Sequence, residues 1–177
     1  MERIPWRVVR VRERNTPRAI RRRYPLTEPG ITITRATWRD VISLWRLERV
    51  CFPREAYDPL TLLSLVAWPN NVALKAMAGN ELAGFIAGDE PWGDQFAWIV
   101  TLGVAPKFRR QGVGARLLAE CEARLSRSVL RLMVRESNTP AIALYERFGY
   151  GHVRREMRYY NDGEAGLLME KRRRMRD

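Results

Sequence analysis

One stretch in the middle of the chain has the residue types and spacing of an anion cradle. Val104-Ala105-Pro106-Lys107-Phe108-Arg109-Arg110-Gln111-Gly112-Val113-Gly114-Ala115 ends an apolar strand, turns through a basic loop bearing two glycines, and opens an apolar helix. The first turn of a helix has free N–H groups and the positive end of the helix dipole. Glycines let that backbone approach an anion closely, so the stretch reads as a pyrophosphate site. No Gly-Lys-Ser/Thr follows, so it is not a Walker loop. The third glycine of the dinucleotide fingerprint is absent as well.

A second stretch, Val134-Arg135-Glu136-Ser137-Asn138-Thr139-Pro140-Ala141-Ile142-Ala143-Leu144-Tyr145-Glu146-Arg147-Phe148-Gly149-Tyr150, pairs a helix start with a phenol on the apolar face of that helix. Asn138 reads as an N-cap. Tyr145 shares an apolar face with Ala141, Leu144 and Phe148. Capping and core filling are compatible with chemical roles for both residues. Other chemistries are poorly supplied. With two cysteines and one histidine, Cys51, Cys121 and His152, the chain lacks the ligands of a Cys/His zinc site, and no metal is expected. A Ser/His/Asp apparatus would rest on that single histidine.

The elements that position these stretches are set by periodicity and punctuation. Ile31–Thr34 is a short β-branched strand, and Thr37 caps a helix to about Val50 with Val41, Ile42 and Trp45 on one face. Asp58-Pro59 opens a second helix, 59–67. Residues 72–78 and 81–89 form a hairpin around Gly79-Asn80. A longer strand, 95–104, leads into the glycine loop and its helix. Then come a strand over 129–135, a helix over 138–148, and a closing hairpin of 150–159 with 164–171. The order is β-α-α-β-β-β-α-β-α-β-β.

Both stretches resemble the GNAT acetyltransferases. Arg109, Gly112 and Gly114 fill the family's acetyl-coenzyme A loop, Arg/Gln-x-x-Gly-x-Gly/Ala. Asn138, Ala141, Tyr145, Gly149 and Tyr150 fill its Asn-x-x-Ala-x-x-x-Tyr-x-x-x-Gly-Phe/Tyr. The narrower likeness is to the protein N-terminal acetyltransferases, such as the ribosomal-protein alanine (RimI-like) type. It is carried by Leu47-Glu48-x-x-Cys51-Phe52-Pro53, by Arg135–Asn138, and by Tyr159-Tyr160-x-Asp162-Gly163-Glu164. The resemblance covers about residues 31–169. It implies an α/β (α+β) fold, a central mixed, mostly antiparallel sheet of about seven strands flanked by four helices and splayed between the fourth and fifth strands.

It also implies roles. Acetyl-coenzyme A is the cosubstrate. The backbones of Leu102 and Val104 pair with the pantetheine arm, and the Leu102 N–H is an oxyanion donor. Arg109, Arg110 and the backbone of Gln111, Gly112, Val113, Gly114 and Ala115 hold the pyrophosphate. Asn138 bonds the pantetheine, and Tyr145 protonates or hydrogen-bonds the leaving thiolate. Phe52, Pro53, Tyr159 and Tyr160 line the acceptor site. The usual acceptor-side base is missing, however. Met133 stands where the ribosomal-protein type carries Glu, and Trp98 stands where other relatives carry Tyr. Glu55 and Glu136 are the substitutes within reach. An α-amine of pKa about 8 is roughly one-tenth neutral at pH 7, whereas a lysine near 10.4 is almost wholly charged. An enzyme without a strong base therefore favours a terminal α-amine.

Composition agrees with one soluble domain. The chain has 177 residues, 46% hydrophobic and 29% charged, with no apolar run long enough for a membrane span. Residues 1–29 read as a basic arm of charge +6, 30–169 as the acetyltransferase domain, and 170–177 as a basic tail of charge +3, within a net charge of +12. Such termini suit a ribosome or another polyanion. Sparse cysteine and no secretory signal point to the cytoplasm, without membrane attachment. Three functions stay open: acetylation of a protein or peptide N-terminus, acetylation of a small-molecule amine, and non-catalytic binding of acetyl-coenzyme A or of a ribosome or nucleic acid.

Overall fold

Local capping fixes where the first helices begin. Thr37 and Asp40 form a reciprocal capping box, the Thr37 N–H donating to Asp40 Oδ2 at 2.8 Å. The turn it opens, Trp38–Asp40, is 3₁₀ in form and passes into helix α1, Val41–Cys51. Asp58 Oδ1 accepts from the N–H groups of Leu60 and Thr61 at 2.9 and 3.1 Å, and Pro59 takes the first position of α2, Pro59–Ala67. The face of α1 differs from the expected one. Val41, Leu44, Leu47 and Glu48 are buried, whereas Ile42 is exposed and Trp45 half-buried.

The computed structural model describes residues 30–173; the expected arm and residues 174–177 lie outside the described residues. Seven strands form one sheet: β1 Ile31–Arg35, β2 Val72–Ala78, β3 Glu81–Asp89, β4 Phe96–Val104, β5 Val129–Arg135, β6 Gly151–Glu156 and β7 Gly166–Arg172. Their order is β1-β2-β3-β4-β5-β7-β6. Every neighbouring pair is antiparallel except β4 and β5, which run parallel. The closing hairpin is shorter than expected, because residues 157–165 leave the sheet as a loop. Its last strand runs through Arg172, so residues 170–172 belong to the sheet rather than to a tail.

Helices cover both faces. α3, Val113–Arg124, and α4, Thr139–Arg147, pack Val113, Leu117, Leu118, Cys121 and Tyr145 against Leu74, Ile86, Ile99, Leu130 and Leu132. On the other face α1 and α2 pack Leu44, Leu47, Leu62 and Val66 against Ala73, Phe85 and Ala87.

Two irregularities in β4 shape the middle of the sheet. Its pairing with β5 stops at Ile99–Leu132, although β4 continues to Val104 and β5 to Arg135, so the two strands splay. Its pairing with β3 skips Val100, a bulge between Ile99 and Thr101. One extra residue turns the side-chain alternation over. Ile99 thus packs on the α3 side, while Val100 packs on the α1 side and Thr101 meets Glu48 of α1.

Candidate active site

The splay leaves backbone groups unpaired on both strands. Ala105 donates to Ala83 O at 2.9 Å, so by the alternation of an antiparallel ladder Gly103 and Thr101 also bond to β3. The amides of Leu102 and Val104 therefore point into the gap. The Val104 carbonyl there accepts from Arg109 Nε at 3.0 Å and from Cys51 Sγ at 3.4 Å. Across the gap, Glu136 donates to Ala165 O at 3.1 Å, so the amides of Met133 and Arg135 face inward by the same alternation.

At one end of the gap stands the start of α3. Its N-cap is Gly112, in the left-handed region with φ +82°, and no side chain caps the helix. An L side chain is strained there. The uncapped first turn leaves the N–H groups of Val113, Gly114 and Ala115 without intrahelical partners. Arg110 also has a positive φ, +63°, and Gln111 Nε2 bonds Lys107 O at 2.9 Å, which holds the loop open before the helix. At Gly114 an added Cβ would make only ordinary contacts, with Val104 Cγ2 at 3.5 Å and Leu144 Cδ2 at 3.7 Å.

α4 contributes the other expected residues. Asn138 caps it, its Oδ1 accepting from Ala141 N–H at 3.3 Å. Tyr145 is buried and lies edge-on to Tyr150 with ring centroids 5.8 Å apart. Burial, and then the nearby Tyr160, push its phenol well above the usual range, so Tyr145 is a proton donor throughout the physiological range.

The residues expected on the acceptor side lie across the sheet from the start of α3, against the neighbouring residue of β4. A Cβ on Gly103 would meet Cys51 Sγ at 3.3 Å and Phe52 Cε2 at 3.5 Å, so Phe52 lies against β4 beside the gap. Pro53 is exposed next to it. Tyr159 and Tyr160 stack edge-to-face at 5.0 Å. A Cβ on Gly166 would fall 2.9 Å from Met133 Sδ and 3.0 Å from the Tyr159 ring; only glycine leaves room for that ring to lie over β7. Arg135 ties the two loops together. It pairs with Glu55 from the loop after α1 and with Asp162 and Glu164 from the 157–165 loop, and its guanidinium sits 4.1 Å from the Tyr160 ring centroid. The Glu164 N–H first, then Arg135, hold the Asp162 carboxyl down at about 2.

Neither expected base is free. Glu55 is held by Arg135. Glu136 is paired with Arg155 at 2.6 Å, and that bond holds its carboxyl below the usual range. Sequence reasoning assigned no role to Glu48, which is 2% exposed. The Thr101 hydroxyl donates to its Oε1 at 2.7 Å, and the Tyr57 backbone N–H also bonds the carboxylate. Burial raises its pKa. The signal that could have found it is positional: Glu48 follows Leu44 by four residues and so falls on the core face of α1.

A splayed parallel pair and an uncapped glycine-led helix next to it leave free backbone N–H groups of the kind that an acyl-coenzyme A would take. The chain belongs to the GNAT family of acetyltransferases, whose family model matches residues 38–150. It is an acetyl-coenzyme A-dependent acetyltransferase, and the free N–H groups at the start of α3 and the open strand edges fit that cosubstrate. Among its relatives, the N-terminal acetyltransferase B complex catalytic subunit NAA20 of Arabidopsis thaliana is 37% identical over 113 residues, 60% of this chain and 65% of that protein, just under two thirds of its length. The N-alpha-acetyltransferase RimI of Mycobacterium tuberculosis is 34% identical over 150 residues, 82% of this chain and 94% of that one. The crystal structure of the ribosomal-protein-S18-alanine N-acetyltransferase from Escherichia coli superposes with a TM-score of 0.72 at 26% identity, covering 83% of this chain and 96% of that one. No helix among the described residues is long and apolar enough to cross a membrane.

Proposed function

We propose that the acceptor is the α-amine of a protein or peptide N-terminus. The observation that carries this reading is the Arg135 network. It fastens the loop after α1 to the 157–165 loop, next to Phe52, Tyr159 and Tyr160. Two tethered loops with aromatic walls suit an extended chain end that enters amine first. The relatives named for N-terminal acetylation support the same acceptor.

In this reading the amides of Leu102 and Val104 pair with the pantetheine arm, and the Leu102 N–H stabilises the charge that develops on the acetyl oxygen. Arg109, Arg110 and the N–H groups from Gln111 to Ala115 hold the pyrophosphate. The Asn138 amide bonds the pantetheine. The neutral acceptor nitrogen bonds to the acetyl carbon, the carbon–sulfur bond breaks with its electron pair going to sulfur, the proton that the nitrogen loses passes through solvent to the thiolate, and Tyr145 hydrogen-bonds that sulfur. A thiol of pKa about 8.5 needs no stronger help from a phenol. The domain begins near Gly30, and the basic residues of 1–29 and of the C-terminal end supply affinity for a polyanion such as the ribosome. A cytoplasmic site of action accords with the free thiols of Cys51 and Cys121.

The test is acetyl transfer to a mixed library of peptide N-termini beside a panel of small amines and lysine side chains. Peptide α-amines are expected to be acetylated with the higher kcat/KM. Preference for a small amine or a lysine side chain would overturn the reading.

A further inference from the structure

The outward face of α1 carries charge of one sign only. Val41, Leu44, Leu47 and Glu48 turn to the core, which leaves Arg39, Ile42, Arg46 and Arg49 outside. They recur every three or four residues, so they form one stripe about 15 Å long. The acids of this segment are engaged: Asp40 bonds Lys75 Nζ at 2.5 Å, and Glu48 is buried against Thr101. Among the described residues, no carboxylate pairs with Arg39, Arg46 or Arg49. This sets them apart from Arg124, Arg131 and Arg155, which meet Glu120, Glu170 and Glu136. Like charges a helical turn apart repel, so folding alone does not favour the arrangement. Two indoles are interleaved with the arginines. The Arg39 guanidinium lies 5.2 Å from the Trp38 ring centroid, and that of Arg49 lies 5.1 Å from the Trp45 centroid. Trp38 is 66% exposed at the head of the stripe, and Trp45 is half-buried along its side.

We infer that this face of α1 is a binding surface for single-stranded RNA. Guanidinium forks bond phosphate oxygens. Indoles and guanidinium planes stack on unpaired bases. Both alternate along one helix here, so a strand lying on α1 meets phosphate contacts and base contacts in turn. A protein partner calls for an apolar centre with a polar rim. The centre of this stripe is Arg46, and Ile42 is its one aliphatic side chain. A lipid surface calls for indoles that enter it, whereas Trp45 is packed against the core under α1. A paired duplex hides the faces of its bases, and RNA offers unpaired loops and ends. The inference needs neither the acetyl-transfer chemistry nor the affinity proposed for the chain termini. Those segments add to the same contact, since only β1 and a short turn separate residues 1–29 from Trp38 along the chain.

The experiment measures binding of a labelled oligouridylate of about 12 nucleotides to the full chain, by fluorescence anisotropy across a salt series. The variant Arg39→Gln/Arg46→Gln/Arg49→Gln loses three guanidiniums. Each phosphate contact contributes about 0.7 to the slope of log K against log salt for a single strand, so the slope should become shallower by about 2. Affinity at 0.1 M salt should then fall roughly a hundredfold, and the binding that remains belongs to the termini. Trp38→Ala should weaken binding about fivefold or more at every salt concentration with the slope kept, because stacking releases no counterions. Acetyl transfer at the wild-type rate in both variants would show that the loss is confined to this face. The inference is overturned if the wild type does not bind, if the triple variant keeps the wild-type slope, or if Trp38→Ala binds like the wild type. It is also overturned if a duplex, a DNA strand or a phosphatidylserine vesicle is bound more tightly than the oligouridylate. Loss of a self-associated species in these variants, with RNA binding unchanged, would give the face to a protein partner instead. A small amine winning the acceptor panel would refute the peptide acceptor and leave this test intact.

Discussion

Replacing Gly166 with alanine probes the acceptor site without touching any group that moves a proton. The new Cβ would stand 2.9 Å from Met133 Sδ and 3.0 Å from Cδ1 and Cγ of Tyr159. The first distance is closer than folded side chains allow and the others are tighter than nearly all real contacts, so one neighbour must give way. The Met133 thioether is flexible and yields cheaply. The Tyr159 ring is 51% exposed and has solvent to move into. Overpacking costs about 1–3 kcal/mol, here at the low end. Alanine at an unstrained backbone position returns about 0.4–1 kcal/mol through the unfolded chain. The net loss is therefore at most about 0.6 kcal/mol, or a fall in Tm of no more than roughly 1–2 °C for a domain of this size. If the ring helps seat the acceptor, the acceptor KM should rise about fivefold, equivalent to about 1 kcal/mol. The KM for acetyl-coenzyme A should not move. Steady-state kinetics with each substrate varied in turn, beside a thermal melt, measure both quantities. A lowered Tm with an unchanged acceptor KM would refute the placement of the acceptor under Tyr159.

Other perturbations separate the remaining roles. Gly112→Val should weaken acetyl-coenzyme A binding and lower Tm, because the left-handed N-cap is strained by any side chain. Gly114→Ala, whose Cβ fits the protein, should hold Tm and weaken acetyl-coenzyme A binding alone; unchanged affinity by calorimetry would remove Gly114 from the cradle. Tyr145→Phe keeps the packing and should lower kcat roughly tenfold to a hundredfold with little change in either KM; wild-type turnover would make Tyr145 a core residue only. Glu48 makes a prediction for stability as well. Because burial raises its pKa, the native state holds a proton that the unfolded chain has released, and stability falls as pH rises from the ordinary Glu range toward the raised value. Glu48→Gln should therefore melt above the wild type at pH 8, with the difference shrinking toward pH 4. Parallel melts across that range would contradict a buried charge.

What could be read from residues alone was what local chemistry decides. Asp58-Pro59 marks α2, Gly79-Asn80 marks the β2–β3 hairpin, and the apolar run of β5 has clear ends; the structure has these at Pro59–Ala67, Val72–Ala78 with Glu81–Asp89, and Val129–Arg135. The cradle was legible because strand, glycines and helix are contiguous. Two things were not legible, and both depend on groups far apart in sequence. Glu48 reads as polar and so was assigned no core face, yet Thr101, 53 residues later, supplies the hydrogen bond that makes its burial tolerable. Glu55 and Glu136 looked like free carboxylates because Arg135 and Arg155 reach them only after β5 and β6 take their places in the sheet. The α1 face was misread for a related reason: Ile42 advertises hydrophobicity, but the turn before the helix is 3₁₀, and the inward stripe passes through Leu44 and Leu47 instead.

The uncapped start of α3 has a consequence for the protein in the cell. Most helices carry their own N-cap, so their stability is independent of metabolites. This helix begins on a glycine with no capping side chain, and in the proposed reading the N–H groups that a cap would satisfy are those that take the diphosphate of coenzyme A. Ligand binding and helix capping are then a single event. A ligand held at a hundred times its Kd adds about 2.7 kcal/mol to the folded state. When the whole coenzyme A pool runs low that increment would fade, and the chain would open more often. In that reading the stability of the fold answers to coenzyme A with or without its acetyl group, since both carry the same diphosphate.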